Sequence, residues 1–350
     1  MSNPYLVVVR AGDTSLHPLW LATGGQRNWD LVVNYSGDNA LRYPTSGEAM
    51  VRIDSKGPKW PALHALLSET SDAWRHYEYV WLPDDDLIAS CGDINRMFEL
   101  MAALDLHLAQ PSMSWDSQAA SLLMVHNPNF ALRYTSFFEP IAPVFSRSLL
   151  RKAAPTFRES LHGSALGYVW PKFLDNPARQ CAILDRMQVT ATRRHAADNS
   201  ASLPRGSASP AQEMDQLLGK HGVPAPLQVA YGGMDSNGKV TTLFDEQGDR
   251  FIYKLCEGYL GCAMASPGLL GEMFAEHTRA RREFLREVQK PVSVATARAA
   301  PAAAAVQVGT IVSTEPRPAP QDTIAVPLPA TQAAHISRPI WGNHEQAFKI

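Results

Sequence analysis

The chain has 350 residues, of which 45% are hydrophobic and 19% charged, with a formal net charge of −2; that is enough apolar material for one large domain or two smaller ones. No basic block offsets the acidic balance, which excludes a dedicated nucleic-acid-binding protein: Arg279, Arg281, Arg282 and Arg286 share a helical stretch with Glu276, Glu283 and Glu287 and make a solvated face. Four scattered cysteines (Cys91, Cys181, Cys256, Cys262) lack zinc-ligand spacing, and no apolar stretch reaches membrane length, so the expectation is a cytoplasmic protein with thiols in its core.

Strand-like and helix-like segments alternate over the first two hundred residues. Leu6–Val9 reads as a short buried strand ending in Arg10-Ala11-Gly12-Asp13, and Trp29–Asn34 as a second ending in Tyr35-Ser36-Gly37-Asp38. A weaker strand over Ala49–Ile53 leads to Lys56-Gly57-Pro58-Lys59-Trp60, and Pro61–Leu67 is expected to be helical. The aromatic and β-branched run Tyr77–Leu82 is a further strand, stopped by Pro83 and followed at once by Asp84-Asp85-Asp86. A helix over Ile94–Ala103 with Asp93 as its cap, a strand near Leu106–Gln110 and a polar loop through Ser112–Ser117 come next. The apolar segment Phe137–Phe145 runs into Ser146-Arg147-Ser148, the cap of a helix over Leu149–Leu161, and Ala182–Thr192 is the last strand before Arg193-Arg194-His195. The alternation predicts an α/β fold with a parallel or mostly parallel sheet between helical layers.

Beyond residue 198 the texture changes. Residues 199–209 read as a linker, and residues 210–290 as a C-terminal extension. The extension holds helices at Ala211–Lys220 and Leu269–Val288, and a hairpin of Leu227–Tyr231 and Lys239–Leu243 turned at Asn237-Gly238. The Ala- and Pro-rich stretch 291–350 is expected to be a disordered tail.

Polar groups gather where the proposed strands end. Arg10, Gly12 and Asp13 follow the first strand, Asp38 the second, Lys59 lies downstream of the third, and Asp84, Asp85 and Asp86 follow the next. In an open α/β sheet the carboxyl edge is where ligands bind. There a glycine lets the backbone approach a nucleotide, a carboxylate accepts from ribose or base, and a lysine suits a diphosphate. Clustered carboxylates repel unless a cation or donors compensate, and hard oxygen ligands suit Mg²⁺ or Mn²⁺; taken alone, three aspartates are more often a solvated acidic turn, and the preceding strand reverses that preference. Asp116 and Glu139 are the candidates for acid–base work. Glu139 sits in an apolar run, where it either titrates abnormally or caps backbone donors. No phosphate-binding loop, dinucleotide fingerprint or nucleophile elbow is present, which disfavours P-loop enzymes, dehydrogenases and α/β-hydrolases.

The acidic strand end is similar to the Asp-x-Asp motif of GT-A glycosyltransferases. More narrowly, several segments resemble DUF707, a family of uncharacterised plant and bacterial proteins regarded as glycosyltransferase-like. They are Val9–His17, Lys56–Trp60, Trp81–Leu87, Gln110-Pro111-Ser112 and, most specifically, Leu132–Ser146, together covering roughly residues 5–195. The resemblance implies a GT-A-like, Rossmann-like domain over residues 1–198 that takes a nucleotide-diphospho-sugar donor. It further implies a Mn²⁺ or Mg²⁺ ion held by Asp86 and Asp84, with Asp84 towards the ribose or sugar, and transfer of the sugar to an unidentified acceptor. Two positions depart from the family's pattern: Val169 follows Gly167-Tyr168 where a carboxylate is expected, and Ala191 stands where a histidine ligand is expected, with His195 four residues on. Two other expectations stand beside enzymatic transfer. One is a degenerate member that binds nucleotide sugar or glycan in a polysaccharide assembly system; the other is a nucleotidyltransferase on a related fold.

Overall fold

The computed structural model describes residues 3–22, 25–44, 50–70, 74–117, 119, 121–193, 207–223 and 226–289. His195, most of the 199–209 linker and the tail from residue 291 therefore lie outside the described residues. A single compact unit extends to Val292.

The expected strands form, and three more, over Leu87–Ile88, Leu132–Thr135 and Val144–Ser146, join them. They are β1 (Tyr5–Ala11), β2 (Trp29–Tyr35), β3 (Met50–Asp54), β4 (Tyr79–Trp81), β5 (Leu87–Ile88) and β6 (Leu108–Met113). The second half contributes β7 (Leu132–Thr135), β8 (Val144–Ser146), β9 (Cys181–Ala191), β10 (Ala230–Met234) and β11 (Val240–Thr242). Helices of more than one turn are α1 (His17–Ala22), α2 (Lys59–Glu69), α3 (Cys91–Ala103), α4 (Arg147–Phe157), α5 (Pro210–Lys220), α6 (Gly248–Glu257) and α7 (Pro267–Gln289).

The sheet runs β11-β10-β7-β9-β6-β8-β4-β1-β2-β3, with β5 paired to β9. Strands β3, β2, β1 and β4 are parallel, as the alternating pattern requires. The other half is mixed: β8 is antiparallel to both β4 and β6, and β7, β5 and β11 are antiparallel to their partners. This corrects the expectation of a mostly parallel sheet. Reversal comes from β8, which returns directly from the 137–143 segment and inserts between β4 and β6. The hairpin of β10 and β11 forms near its expected place, but β10 hydrogen-bonds β7 in the main sheet. Within residues 210–289, β10 and β11 thus extend the main sheet.

Strand β1 is buried along its whole length, as befits a central strand covered on both faces. One side is filled by an aromatic cluster in which Trp60 of α2, Phe157 of α4, Phe145 of β8 and Trp170 pack with tilted or edge-on geometry at 4.9–6.0 Å. Helix α3 is capped one turn earlier than expected, by Ser90, whose hydroxyl accepts from Asp93 N at 3.1 Å. Asp93 lies inside the first turn instead of capping it. Helix α4 begins on Ser146, within the expected Ser-Arg-Ser cap, and ends earlier than expected, after Pro155 within its last turn.

A buried ion pair ties the mixed half together. Arg133 on β7 and Asp185 on β9 are each fully buried and meet through two bonds of 2.8 and 2.9 Å. The remaining guanidinium donors reach Leu123 O (2.6 Å), Val125 O (2.8 Å) and the Tyr259 hydroxyl (2.5 Å), while Asp185 also accepts from Asn127 N at 2.9 Å. Such saturation is what allows charges to be carried in a core.

Candidate functional site

The site grows from the carboxyl ends of β1, β2, β3 and β4. Past Pro83 the chain leaves the sheet, and its backbone is fastened to the 139–143 segment by Leu82 N to Pro143 O (2.9 Å) and Asp84 N to Ile141 O (2.7 Å). Asp85 stitches this end of β4 to the turn after β1. Its carboxylate accepts from Gly12 N at 2.7 Å and its carbonyl from Leu16 N at 2.6 Å. Asp84 pairs with Lys59, the first residue of α2, and Lys59 also donates to Pro140 O at 3.2 Å. The triplet, Gly12, Lys59 and the 139–140 segment, far apart in sequence, therefore lie on one rim.

Asp86 faces the end of β9. It is 2% exposed. Its carboxylate accepts from Arg193 N at 2.9 Å, and its carbonyl receives both the amide (3.2 Å) and the hydroxyl (2.9 Å) of Thr192. Pairing of Leu87 with Ala191 and of Ile88 with Thr190 continues this contact as the β5–β9 ladder. The Arg193 guanidinium turns back over the carboxylates, with Nη2 at 2.6 Å from Asp85 Oδ1 and Nε at 3.9 Å from Asp86 Oδ2. Nothing local in the sequence announces this role for Arg193, which falls 107 residues after its partner Asp86; only its position at the end of a strand hints at it.

The other expected residues divide into rim and scaffold. Arg10 is scaffold, not a phosphate ligand. It is buried and spans the ends of three strands, donating to Asn34 Oδ1 (2.6 Å), Ser55 Oγ (2.6 Å) and Gly57 O (2.7 Å). Burial lowers its pKa to about 10, with the charge of Asp85 opposing the shift. Gly12 does not offer its amide to a ligand, since Asp85 takes it; an added Cβ would meet nothing nearer than that carboxylate at 3.6 Å.

Asp13 is bonded by the Tyr35 hydroxyl, which holds its carboxyl below the usual range, and it shapes the turn. Asp38 is on the rim and exposed, paired with Lys56 at 2.7 Å. Asp116 is exposed in the turn after β6, beside Ser117, whose hydroxyl accepts from Ala191 N at 3.1 Å. Glu139 is buried, and one carboxylate oxygen accepts from Ser121 N at 2.6 Å, in keeping with the capping alternative for this residue.

The two departures from the family pattern are both buried. Val169 is fully enclosed in a single turn, Leu166–Val169. In that turn Gly167 is required by contact: a Cβ there would lie 1.7 Å from Phe138 O. Ala191 contributes only a methyl group to the β5–β9 ladder.

A divalent cation does not fit the side chains as arranged. Asp84 is engaged by Lys59, Asp85 by Gly12 N and Arg193, and Asp86 by Arg193 N. Among the described residues no three His, Cys, Asp or Glu side chains form a ligand group, and a hard cation takes several oxygen ligands. A dication at Asp85 and Asp86 would also sit against the guanidinium and be repelled by it.

No helix among the described residues is long and apolar enough to cross a membrane. No family model matches the chain, and no curated protein matches it. Among the solved structures similar to it are two at low identity. Residues 1–349 of S. aureus TarS in complex with UDP-GlcNAc are 12% identical, over 83% of this chain and 93% of that one, with a TM-score of 0.39. A CMP:2-keto-3-deoxy-manno-octonic acid synthetase complexed with CTP is 11% identical, over 43% of this chain and 77% of that one, with a TM-score of 0.29. Likeness of this degree leaves the chemistry to be argued from the residues themselves.

Proposed function

We propose that the protein binds a nucleotide-diphospho-sugar at the carboxyl edge of β1, β2 and β4 and transfers the sugar to an acceptor hydroxyl, on a GT-A-like fold. The observation that supports this reading best is the convergence of the Gly12 turn, Lys59 and Asp84–Asp86 on one rim at the ends of parallel strands, the edge where α/β sheets take ligands. The resemblance of Leu132–Ser146 and Trp81–Leu87 to DUF707 points the same way. Asp38, exposed, is offered to ribose or base, and Lys59 to the diphosphate. Asp84 orients Lys59 and faces the sugar side.

In the transfer the donor bond between the anomeric carbon and the diphosphate oxygen breaks, and its electron pair leaves with the nucleoside diphosphate. The acceptor oxygen bonds that carbon, and its proton passes to a base. Asp116 is the exposed carboxylate available for that role; Glu139 is occupied in capping. No step is assigned to a metal ion, because the side chains do not form a ligand set for one.

The test is product analysis with UDP-, GDP-, CDP- and ADP-sugars. Release of a nucleoside diphosphate, reduced at least about tenfold by Lys59→Met or Asp116→Asn, is the expected result. Inert nucleotide-sugars, with release of inorganic diphosphate when a nucleoside triphosphate and a sugar are supplied instead, would identify a nucleotidyltransferase. Binding without turnover would identify the degenerate binder, a reading favoured by the engagement of Glu139. No binding of any donor would end the proposal.

A further inference from the structure

Three carboxylates in succession must be neutralised, and the protein supplies the charge itself. Lys59 answers Asp84, and Arg193 answers Asp85 with Asp86 close by. Arg193 is set in place from two directions. Its backbone amide is fixed on Asp86 at 2.9 Å, and its guanidinium is drawn across to Asp85 at 2.6 Å. Its side chain nevertheless keeps 41% of its exposure. Of the five N–H donors of a guanidinium, one makes a hydrogen bond among the described residues. The result is an oriented, partly exposed cation at the ligand edge of the sheet, with donors that no described residue takes.

We infer that Arg193, with Lys59, is the cation that receives the donor's diphosphate, and that nucleotide binding here does not require a divalent metal. This inference rests on the glycosyltransferase reading above and deepens it. Asp85 and Asp86 then act as orienting residues for a guanidinium, whereas the Asp-x-Asp resemblance implies Asp84 and Asp86 as metal ligands. A planar fork can hold two phosphate oxygens at once, and charge-assisted bonds of this kind are strong enough to anchor a leaving group. The methyl group of Ala191 suits this arrangement, since it brings no ligand for a metal.

Calorimetric titration with UDP, GDP, CDP and ADP, each in EDTA and in millimolar Mn²⁺, tests the inference on the unaltered chain. At least one nucleotide is expected to bind, with dissociation constants in the two conditions agreeing within about threefold. Arg193→Gln, whose folding is checked by its melting curve, is expected to weaken that binding about ten- to a hundredfold, the worth of a charged hydrogen bond. Arg193→Lys, which keeps the charge but loses the fork, should fall between the two. Binding that appears only with Mn²⁺, or that Arg193→Gln leaves unchanged, overturns the inference while leaving the glycosyltransferase reading standing. Failure of all four nucleotides in both conditions removes that reading and the inference with it.

Discussion

The charged residues of this protein sort by what surrounds them. Arg10 and Arg133 are enclosed and spend their donors on backbone and neighbouring side chains, whereas Arg193 is held by one edge with the rest exposed. From the sequence all three look alike: each follows or interrupts an apolar run. What distinguishes them is burial set by strands that are distant in the chain, which explains why Arg10 was expected at the ligand and Arg193 was not singled out. The acidic triplet was legible, because a change from aromatic and β-branched residues to three carboxylates marks a strand end in any context. Its partners were not, since Gly12 is 73 residues from Asp85. The Arg133–Asp185 pair carries its own prediction. Asp185→Leu leaves a buried guanidinium uncompensated and is expected to cost about 3–5 kcal/mol. Adding Arg133→Met should recover much of that loss, and denaturant unfolding of both single variants and the double variant measures the coupling.

At the scale of elements, periodicity located eight of the strands to within a few residues, did not single out β5, β7 or β8, and misjudged how the strands pair. The order of β8, β6, β9 and β7 depends on the return path of the 137–143 segment, and no local pattern encodes that. Helix starts were nearly right, and the error at α3 is instructive. Asp93 has the residue type of a cap, but Ser90, three residues earlier, has the extended backbone a cap needs and receives the Asp93 amide. Ser90→Ala is therefore expected to destabilise the protein by about 1 kcal/mol, while Ser90→Thr, which preserves the accepting oxygen, should stay within about 0.5 kcal/mol of the parent. Thermal melts of the two variants side by side would check this; equal losses would mean that the cap is not what matters there.

For the molecule as a whole, buried neutral histidines tie stability to pH. His277 on α7 is fully enclosed; its Nε2 accepts from Ala230 N at 2.9 Å and its Nδ1 faces Met273 O at 2.7 Å. Burial, the largest cause, lowers its pKa to about 4, and burial does the same to His17, also to about 4. An unfolded histidine titrates near 6.5. Between roughly pH 6.5 and 4 the unfolded chain thus binds more protons than the folded one, so stability rises with pH across that window. The contribution is complete above about pH 6.5 and is lost as the pH falls towards 4, with His277 alone worth on the order of 3 kcal/mol. Melting temperature should decline steadily on acidification, and His277→Gln should flatten the decline. An unchanged slope would show that this imidazole is not the coupled group.

The clamp between Asp86 and the end of β9 has a consequence in time. The Gly12–Asp85 bond spans 73 residues, and those from Thr192 and Arg193 to Asp86 span 106 and 107. Closing such separations is slow relative to local structure. During synthesis the first four strands of the parallel half can emerge and begin to collapse with Lys59 available to Asp84 but Asp85 and Asp86 still without their guanidinium. The rim acquires its neutralising guanidinium only when residue 193 has left the ribosome. Under the role proposed for Arg193, a nucleotide is therefore expected to stabilise only those molecules in which β9 is already in place.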